Sequence, residues 1–597
     1  MKVFKIKNLF KVILIFTIYL THVWISSFYL APRNVDFAKY YDYINYFLGL
    51  RVDIDYGQGV LYYFLIAFIL NRKIDIIDFY NSEFIISNAV HNVNLFFFII
   101  GLAGIYSLLN LKKFKEETIY ISLIVLVFFP QTIYMRAVMK PEIIGFAFLP
   151  WTIFYIEKFL DNRNLKLLFY TIPFVALMIN SKASIAGMIC IFLLFAYLNI
   201  FKKVSFKNLT VLFLVLILTL SALQLENYSI TSNTIIDRPY DEEYDFKADP
   251  SILYKFSIQN LVNEPFFKIS DYGESLHSRS LINLLLLDTF GDFFNQMFDF
   301  QANYFSQYRK DIFIDDSEVL ITENREINYS GPYSNILKNN LDKIRKIISL
   351  LISVLFYLSI ISLSIRKNEY RKFYLAPFAG ILLLYLNSLG IPSNNYNPIK
   401  GDTFKAFYFG LLLSISLVFL VANIIEKVPI AKYFFPIVFI MSILFISGHP
   451  KENSQNLSEH LVSVNQYSSL CEVNNFLFYE NEILKKAFPS GNINNLYSDC
   501  EPVRIYSNND RGRIKYDEFH LSNCVDENNL ILNNAYENAS SNTKECRIYT
   551  FEQIQNKRDL INYKRPYFSV IIFIIALFFI FCEYSNNVKK IVKRYFV

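Results

Sequence analysis

Charged residues are scarce in this sequence. They make up 18% of its 597 residues, whereas 54% are hydrophobic and 18% are aromatic. An average soluble domain has about 25% charged residues. The apolar residues also form uninterrupted blocks that are long enough to cross a hydrocarbon core about 30 Å thick. This composition excludes an ordinary soluble protein and predicts an all-α polytopic membrane protein.

Several functional signatures are also missing. The sequence contains no Walker motif, no GxGxxG, no HExxH and no internal repeat, so an ATP-driven pump and a zinc peptidase have no support. The net charge of +6 does not indicate nucleic-acid binding. The basic residues lie in small clusters beside the apolar blocks, where they report topology. We expect the lipid bilayer as a partner and no nucleic acid.

The apolar blocks predict about 12 transmembrane helices. They cover residues 12–30, 84–111, 118–135, 143–156, 167–181, 183–201, 208–225, 347–365, 373–389, 406–425, 433–448 and 566–582. A further block, 60–70 (VLYYFLIAFIL), would rise only about 17 Å as a helix, so it is too short to span. We predict that it is an interfacial or re-entrant helix.

The distribution of basic residues supports leaving this short block out. With the amino terminus in the cytoplasm, the short inner loops and termini then hold 23 basic residues. The outer turns hold five: Arg136, Lys140, Lys182, Lys400 and Lys405. Counting 60–70 as a span would move most of the basic clusters outside, against the positive-inside rule. We therefore expect a multi-pass protein of the cell inner membrane with both termini in the cytoplasm.

This topology divides the chain into five parts. Residues 1–225 form an N-terminal membrane core with a first outer loop at 33–84, and 226–345 form a large outer loop with interfacial helices. Residues 346–448 form C-terminal membrane helices. Residues 449–565 form a soluble periplasmic insert, α+β or irregular, and 566–597 form the last span with a basic tail.

The cysteines agree with an outer location for the insert. Cys471, Cys500, Cys524 and Cys546 all fall within it. An even number of cysteines in one extramembrane segment favours an oxidising compartment and two disulfides, with three pairings open. A zinc site is the alternative, but the spacing contains no CxxC pair.

The first outer loop is unusually acidic for a segment that follows a span. Asp36, Asp42, Asp53 and Asp55 lie near a membrane surface that anionic lipids make negative. Carboxylates there suggest a general base or ligands for a hard divalent cation. A solvated loop with tyrosines at the headgroup level is the alternative, and composition does not decide between the two.

Three other outer segments carry candidate residues. YMRAVMKPEIIGF contains Arg136, Lys140 and Glu142, NPIKGDTFKAFYFG contains Lys400 and Lys405, and GESLHSRS contains His277 and Arg279. The basic side chains are suited to a phosphate, or to anchoring at lipid headgroups. Glu142 follows Pro141 at the start of a span, where capping of the helix is the simpler interpretation.

The order of these parts resembles the GT-C class of integral membrane glycosyltransferases. The resemblance rests on an early aspartate in the first outer loop ("NVDFAKYYDYINYFLGL"), the following "VDIDYGQGVLYYFLIAF", the Pro141–Glu142 pair and the Lys405 turn. It implies transfer of a hexosyl or pentosyl group from a polyprenyl-phosphate carrier to a periplasmic acceptor, with inversion and with the active site on the periplasmic face.

The resemblance also implies roles for single residues. Asp36 matches the catalytic carboxylate; Phe37 stands where the family has a second acid, so Asp42 is the alternative base. Asp53, Asp55 and Glu142 would bind acceptor or a Mg²⁺ or Mn²⁺ ion. The carrier phosphate would be bound by Arg136, Lys140, Lys400, Lys405, His277 and Arg279.

Two other functions remain open at this stage. A polysaccharide ligase or polymerase also has large outer loops, but we expect it to depend on outer arginine and histidine residues. A lipid-linked-sugar flippase or transporter predicts ionisable residues in the middle of spans or broken helices in two related halves. A purely structural anchor for the insert would need one span.

Overall fold

The protein is described here from a computed structural model. It describes residues 2–28, 58–70, 79–232, 281–291, 340–366, 369–388, 409–437 and 564–596, together with residues 40, 43, 44, 46 and 47 and the strands 503–507 and 546–550. The helices are α1 (Lys2–Phe28), α2 (Leu61–Leu70), α3 (Phe79–Leu111), α4 (Glu116–Val127), α5 (Pro130–Ala137), α6 (Glu142–Asn162), α7 (Lys166–Phe169), α8 (Thr171–Ser181), α9 (Ala183–Tyr197), α10 (Phe206–Thr231), α11 (Leu281–Asp288), α12 (Asn340–Ile365), α13 (Arg371–Tyr374), α14 (Ala376–Ser388), α15 (Gly410–Lys427) and α16 (Tyr567–Phe596).

The described helices confirm a polytopic membrane protein. Within the described residues, eight helices are long and apolar enough to cross a bilayer, and a ninth span results if the bent pair α4–α5 crosses as one unit. These nine correspond to nine of the twelve predicted blocks. The predicted block 167–181 forms the shorter apolar segment Lys166–Ser181. The block 433–448 lies mostly outside the described residues, so the number twelve stays a prediction.

The predicted span 118–135 is broken rather than continuous. Helices α4 and α5 meet at an angle of 60°. Pro130 is the first residue of α5, where its missing N–H removes no helical hydrogen bond and its ring prevents α4 from continuing. The break exposes backbone carbonyls inside the bundle, and these need partners because no water is available in hydrocarbon.

Close packing of α3 on α6 forms the centre of the N-terminal half. A Cβ atom at Gly101 would lie 2.4 Å from the Phe146 ring, so only glycine allows the two helices to approach each other this closely. Phe98 stacks on Phe146 with 5.1 Å between ring centroids. The Trp151 indole donates a 2.9 Å hydrogen bond to the Ile100 carbonyl. Small residues at such contacts are typical of membrane helices, where packing rather than water expulsion drives association.

Ion pairs join helix ends at one end of the bundle. Glu157 is buried and binds Lys112 at 2.5 Å, with Lys372 on its other oxygen and the Tyr197 hydroxyl at 2.7 Å. Lys158 pairs with Glu583 at 2.6 Å in the same region. The structure therefore brings together basic residues that the charge pattern assigns to the inner side. Which compartment this end faces stays a prediction.

Helix α11 in the large outer loop packs against the bundle. Its Leu285 and Leu287 are buried. The Gln131 side-chain amide donates to the Asp288 carbonyl at 2.8 Å, which ties the end of α11 to the break between α4 and α5. Phe290 packs on Phe129 with centroids 5.3 Å apart. The sequence predicted this apolar segment along the membrane surface, and the structure adds a specific contact to the bent span.

The predicted insert contains a pair of strands. β1 (Val503–Ser507) and β2 (Cys546–Thr550) are antiparallel, with Val503 opposite Thr550 and Ser507 opposite Cys546. The closest paired residues, Ser507 and Cys546, are 39 positions apart in the sequence, so this pair is a long-range contact rather than a tight hairpin. Whether the insert is α+β or irregular, and where it lies relative to the membrane, stay predictions.

Candidate functional site

Most of the predicted site residues lie outside the described residues. These are Asp36, Asp42, Asp53, Asp55, Lys400, Lys405, His277 and Arg279, together with Cys471, Cys500 and Cys524. Only the backbone of Cys546 is described, as the first residue of β2. Arg136, Lys140 and Glu142 are described, and all three are buried. The site is therefore built from these three residues and from the residues that flank the acidic loop.

Tyrosines on both sides of Asp42 in the sequence anchor the first outer loop. Tyr43 stacks on Tyr63 of α2 with 4.4 Å between centroids, and Tyr40 stacks on the same ring at 5.6 Å. The Gln58 backbone N–H donates to the Tyr43 hydroxyl at 2.8 Å, and the Tyr63 hydroxyl donates to Gln58 Oε1 at 2.7 Å. Buried tyrosines thus fix the loop through both their rings and their hydroxyl groups.

Gly59 brings the end of this loop directly onto α8. Its N–H donates to the Ser181 carbonyl at 3.1 Å. A Cβ atom at Gly59 would lie 2.2 Å from the Asn180 carbonyl oxygen and 2.8 Å from the Ser181 Cα, and both of these are backbone atoms. Only glycine permits this approach. The segment that carries Asp53 and Asp55 therefore ends against the junction of α8 and α9.

Tyr62 and Asn94 hold the turn between α5 and α6. The Tyr62 hydroxyl donates to Asn94 Oδ1 at 2.8 Å, and Asn94 Nδ2 donates to the carbonyls of Arg136 and Val138 at 3.0 and 2.9 Å. Burial raises the pKa of Tyr62 well above its usual range, and the charge of Glu142 raises it further. The phenol therefore stays a neutral donor, and Asn94 makes three hydrogen bonds that fix the turn leading to Glu142.

Arg136 is directed into the protein. Its side chain is 2% exposed, and its guanidinium lies 4.4 Å from the centroid of the Phe98 ring. Nη2 donates to the Val127 carbonyl at 2.6 Å, Nε to the Thr132 carbonyl at 3.2 Å and Nη1 to the Thr21 hydroxyl at 2.8 Å. The contact to Val127 supplies a partner for a carbonyl at the α4–α5 break. Binding of a carrier phosphate by Arg136 stays a prediction.

Glu142 forms an ion pair at the start of α6. Its Oε1 accepts from Lys182 Nζ at 2.6 Å, and the two side chains are 1% and 17% exposed. The sequence suggested simple capping for Glu142, whereas the structure engages it with a lysine from the junction of α8 and α9. Within the described part of the chain, Oε2 has no hydrogen-bond partner. Ionisable groups held inside a membrane bundle are functional-site candidates by default.

Three amides link the end of α8, two residues before Lys182, to α10. Asn180 Oδ1 accepts from Asn227 Nδ2 at 2.7 Å and from Gln224 Nε2 at 2.7 Å. Asn180 and Asn227 are 2% and 0% exposed. Sequence reasoning missed these residues, although polar amides near the outer ends of apolar blocks were visible as a signal. We call Glu142, Lys182, Asn180, Gln224 and Asn227 the polar layer.

The polar layer does not suit a divalent cation. A cation would need several oxygen ligands with negative charge. The layer offers one carboxylate, and Lys182 already lies 2.6 Å from it, so a metal ion would be repelled. Among the described residues, no group of three or more His, Cys, Asp or Glu side chains is arranged to hold a metal. The predicted Mg²⁺ or Mn²⁺ site depends on Asp53 and Asp55 and stays a prediction.

Replacing Gly59 by alanine will loosen the first outer loop. The added methyl group meets two backbone atoms that cannot rotate away, so we expect a destabilisation of about 1–3 kcal/mol. Thermal unfolding and limited proteolysis of the full chain in detergent should show faster cleavage within residues 33–57. Gly187→Ala is the matched control, because its Cβ would meet only the flexible Leu383 side chain at 2.8 Å. Equal effects of the two changes would contradict a special role for Gly59.

Comparison with known proteins places part of this region in a known class. Residues 83–223 match the family model described as dolichyl-phosphate-mannose-protein mannosyltransferase. This is a GT-C class membrane glycosyltransferase family, so the predicted resemblance is confirmed over about a quarter of the chain. Neither the curated proteins nor the solved structures that were compared with the chain gave a match.

The matched segment contains most of the polar layer. It runs from α3 through most of α10 and includes Arg136, Lys140, Glu142 and Lys182. It ends before Gln224 and Asn227, and it begins at residue 83, after the four aspartates of the acidic loop. The match supports a multi-pass membrane glycosyltransferase that uses a polyprenyl-phosphate-linked sugar and an acceptor.

Proposed function

We propose that the chain is an inverting glycosyltransferase that moves a sugar from a polyprenyl-phosphate carrier to a periplasmic acceptor. The observation that carries this proposal is the docking of the first outer loop, at Gly59, onto the segment that matches the family. The printed family name specifies mannose and a protein acceptor. By this likeness, mannose is the first sugar to test, with a glycan, lipid or protein as acceptor.

The mechanism requires a base on one side of the sugar and positive charge on the other. Asp36, with Asp42 as the alternative, removes the proton of the acceptor hydroxyl while that oxygen forms a bond to the anomeric carbon. The bond from this carbon to the phosphate oxygen breaks, and its electron pair leaves with the carrier phosphate. Lys400 and Lys405 are proposed to neutralise the charge that develops there.

The charge distribution supports an active site on the periplasmic face. The anchored tyrosines, Gly59 and the polar layer lie at the ends of α6 and α8 opposite the Lys112–Glu157–Lys372 cluster. The positive-inside rule assigns the two lysines of that cluster to the cytoplasm. The acceptor side is therefore proposed to be the outer one, in agreement with the predicted oxidising surroundings of the insert.

Transport is the second candidate, because the bent α4–α5 span is a broken helix of the kind that transporters contain. A transporter with two related halves predicts a second broken helix at a corresponding position. Among the described helices, one pair shows such a bend. The family match favours sugar transfer over transport.

Purified full-length protein in liposomes should release free polyprenyl phosphate from polyprenyl-phosphate mannose, or from the glucose or arabinose forms, when acceptor peptides or glycans are present. Mass spectrometry of both products measures the transfer. Movement of the intact carrier across the bilayer without release of polyprenyl phosphate would refute the proposal and support the transporter.

A further inference from the structure

We infer that four residues of the polar layer, Glu142, Lys182, Asn180 and Asn227, form a recognition site for hydroxyl groups of the sugar that the carrier delivers, and that Gln224 is not part of this site. This inference deepens the proposed function and rests on it. It assigns Asn227 and Glu142 as direct contacts to the sugar, and Lys182 and Asn180 as positioning residues that hold these contacts in place.

Two buried oxygen atoms carry the argument. Within the described residues, Glu142 Oε2 and Asn227 Oδ1 have no hydrogen-bond partner, although the two residues are 1% and 0% exposed. Leaving a buried acceptor unpaired costs about 1–3 kcal/mol, and more for a charged group. Buried unpaired groups are rare in folded proteins, and each one needs an explanation. A ligand that supplies two donors would remove both penalties.

The two acceptors are fixed by their neighbours. Lys182 holds the other Glu142 oxygen at 2.6 Å, and Asn180 receives the Asn227 amide at 2.7 Å. Asn180 and Lys182 are two positions apart, on either side of the last residue of α8. Glu142 is held through Oε1 and Asn227 through Nδ2, so the remaining oxygen atom of each side chain keeps a defined direction. Such preorganisation reduces the entropy lost when a ligand binds.

The chemistry of the layer selects the ligand class. Both orphan atoms accept hydrogen bonds, so the ligand must donate, as hydroxyl or amino groups do. A phosphate offers acceptor oxygens and negative charge, and Glu142 would repel it. The layer is therefore distinct from a carrier-phosphate site. A sugar presents several hydroxyl groups, so a single sugar can offer a donor to each of the two acceptors.

The location agrees with delivery from a lipid carrier. Asn227 and Gln224 lie near the C-terminal end of α10, a helix with many exposed apolar side chains along the rest of its length, as expected of a helix that faces lipid. Gly59, which ends the acidic loop, contacts the backbone of Asn180 and Ser181. The polar layer thus lies between the loop that carries the proposed base and a helix that faces the bilayer.

The test compares binding of bare polyprenyl phosphate with binding of polyprenyl phosphates that bear mannose, glucose, galactose or arabinose. The full chain in nanodiscs is used, and the ratio of the two Kd values isolates the contribution of the sugar. We expect at least one sugar to improve the wild-type Kd about 50-fold or more, as hydrogen bonds to one neutral and one charged acceptor predict.

Two variants remove one acceptor each. Asn227→Leu should lower the sugar-dependent improvement about 5-fold, and Glu142→Gln about 10-fold because a charged acceptor is lost. Both should leave the Kd of bare polyprenyl phosphate unchanged. The two changes preserve side-chain size and act on different helices, so a folding failure in one still leaves the other as a test.

Gln224→Leu is the matched control, because it removes an equally short hydrogen bond to the same Asn180 oxygen without removing an orphan acceptor. It should leave the sugar-dependent improvement intact. An equal loss in Gln224→Leu, no loss in either site variant, or no sugar that binds more tightly than the bare carrier would overturn the inference. Failure of the wild type to bind even bare polyprenyl phosphate would instead overturn the proposed function.

Discussion

Replacing Asp36 by asparagine will lower sugar transfer about 100-fold or more, the usual range for loss of a general base. Asparagine keeps the shape of the side chain but cannot accept the proton of the acceptor hydroxyl. The turnover rate with polyprenyl-phosphate mannose, or with the sugar that the wild type prefers, measures the effect. The Kd for the carrier and the thermal unfolding midpoint should stay at wild-type values.

Asp42→Asn is the matched control for this experiment. The two aspartates lie in the same loop, and each is close in sequence to a tyrosine that packs on Tyr63. Tyr43 directly follows Asp42, and Tyr40 comes four residues after Asp36. If Asp42→Asn alone abolishes turnover, Asp42 is the base. Near-normal transfer by both variants would return the acidic loop to its alternative interpretation as a solvated segment.

Replacing Arg136 by methionine will destabilise the protein strongly. The change leaves the Val127 carbonyl without the donor that Arg136 supplies, and it removes the hydrogen bonds of Arg136 to the Thr132 carbonyl and the Thr21 hydroxyl. An unpaired buried carbonyl costs about 1–3 kcal/mol and each lost hydrogen bond from a charged donor about 1.5–3 kcal/mol, so we expect a loss of about 3 kcal/mol or more in the free energy of unfolding. Equilibrium unfolding in mixed detergent micelles measures it.

Arg136→Lys separates the structural role from the predicted role at the carrier phosphate. Lysine keeps the positive charge but lacks the planar fork that reaches three acceptors at once, so stability should still fall. If Arg136→Met has wild-type stability but loses affinity for bare polyprenyl phosphate, Arg136 is a phosphate ligand as the sequence predicted. The hydrogen bonds of Arg136 inside the bundle favour a loss of stability in both variants.

Nine of the twelve predicted spans coincide with described helices, one of them the bent pair α4–α5, because hydrocarbon imposes a simple requirement on the sequence. A helix that crosses must be about 20 apolar residues long and must satisfy its own backbone hydrogen bonds. Both conditions are local and visible in the order of residues. The short block at 60–70 was recognised for the same reason, and the structure gives it as the ten-residue helix Leu61–Leu70.

The polar layer was less accessible to sequence reasoning. Glu142 was noticed because a carboxylate follows a proline at the start of a span, but the same pattern also describes a simple cap. Its partner Lys182 lies 40 positions later and was noted only as one of five outer basic residues. Asn227 lies 47 positions from Asn180. No local pattern distinguishes such amides from polar residues that face headgroups.

By itself, the sequence determined that this chain crosses the membrane many times, where the basic clusters gather and which outer loop is acidic, because hydrophobic length and charge placement act along the chain. The tertiary structure alone decided that Arg136 closes the break in α4–α5, that Glu142 pairs with Lys182, and that Gly59 docks the first loop on α8. These features depend on contacts between helices far apart in sequence. A buried charge or amide is stable only where packing brings it a partner, and hydropathy carries no information about which partner that is.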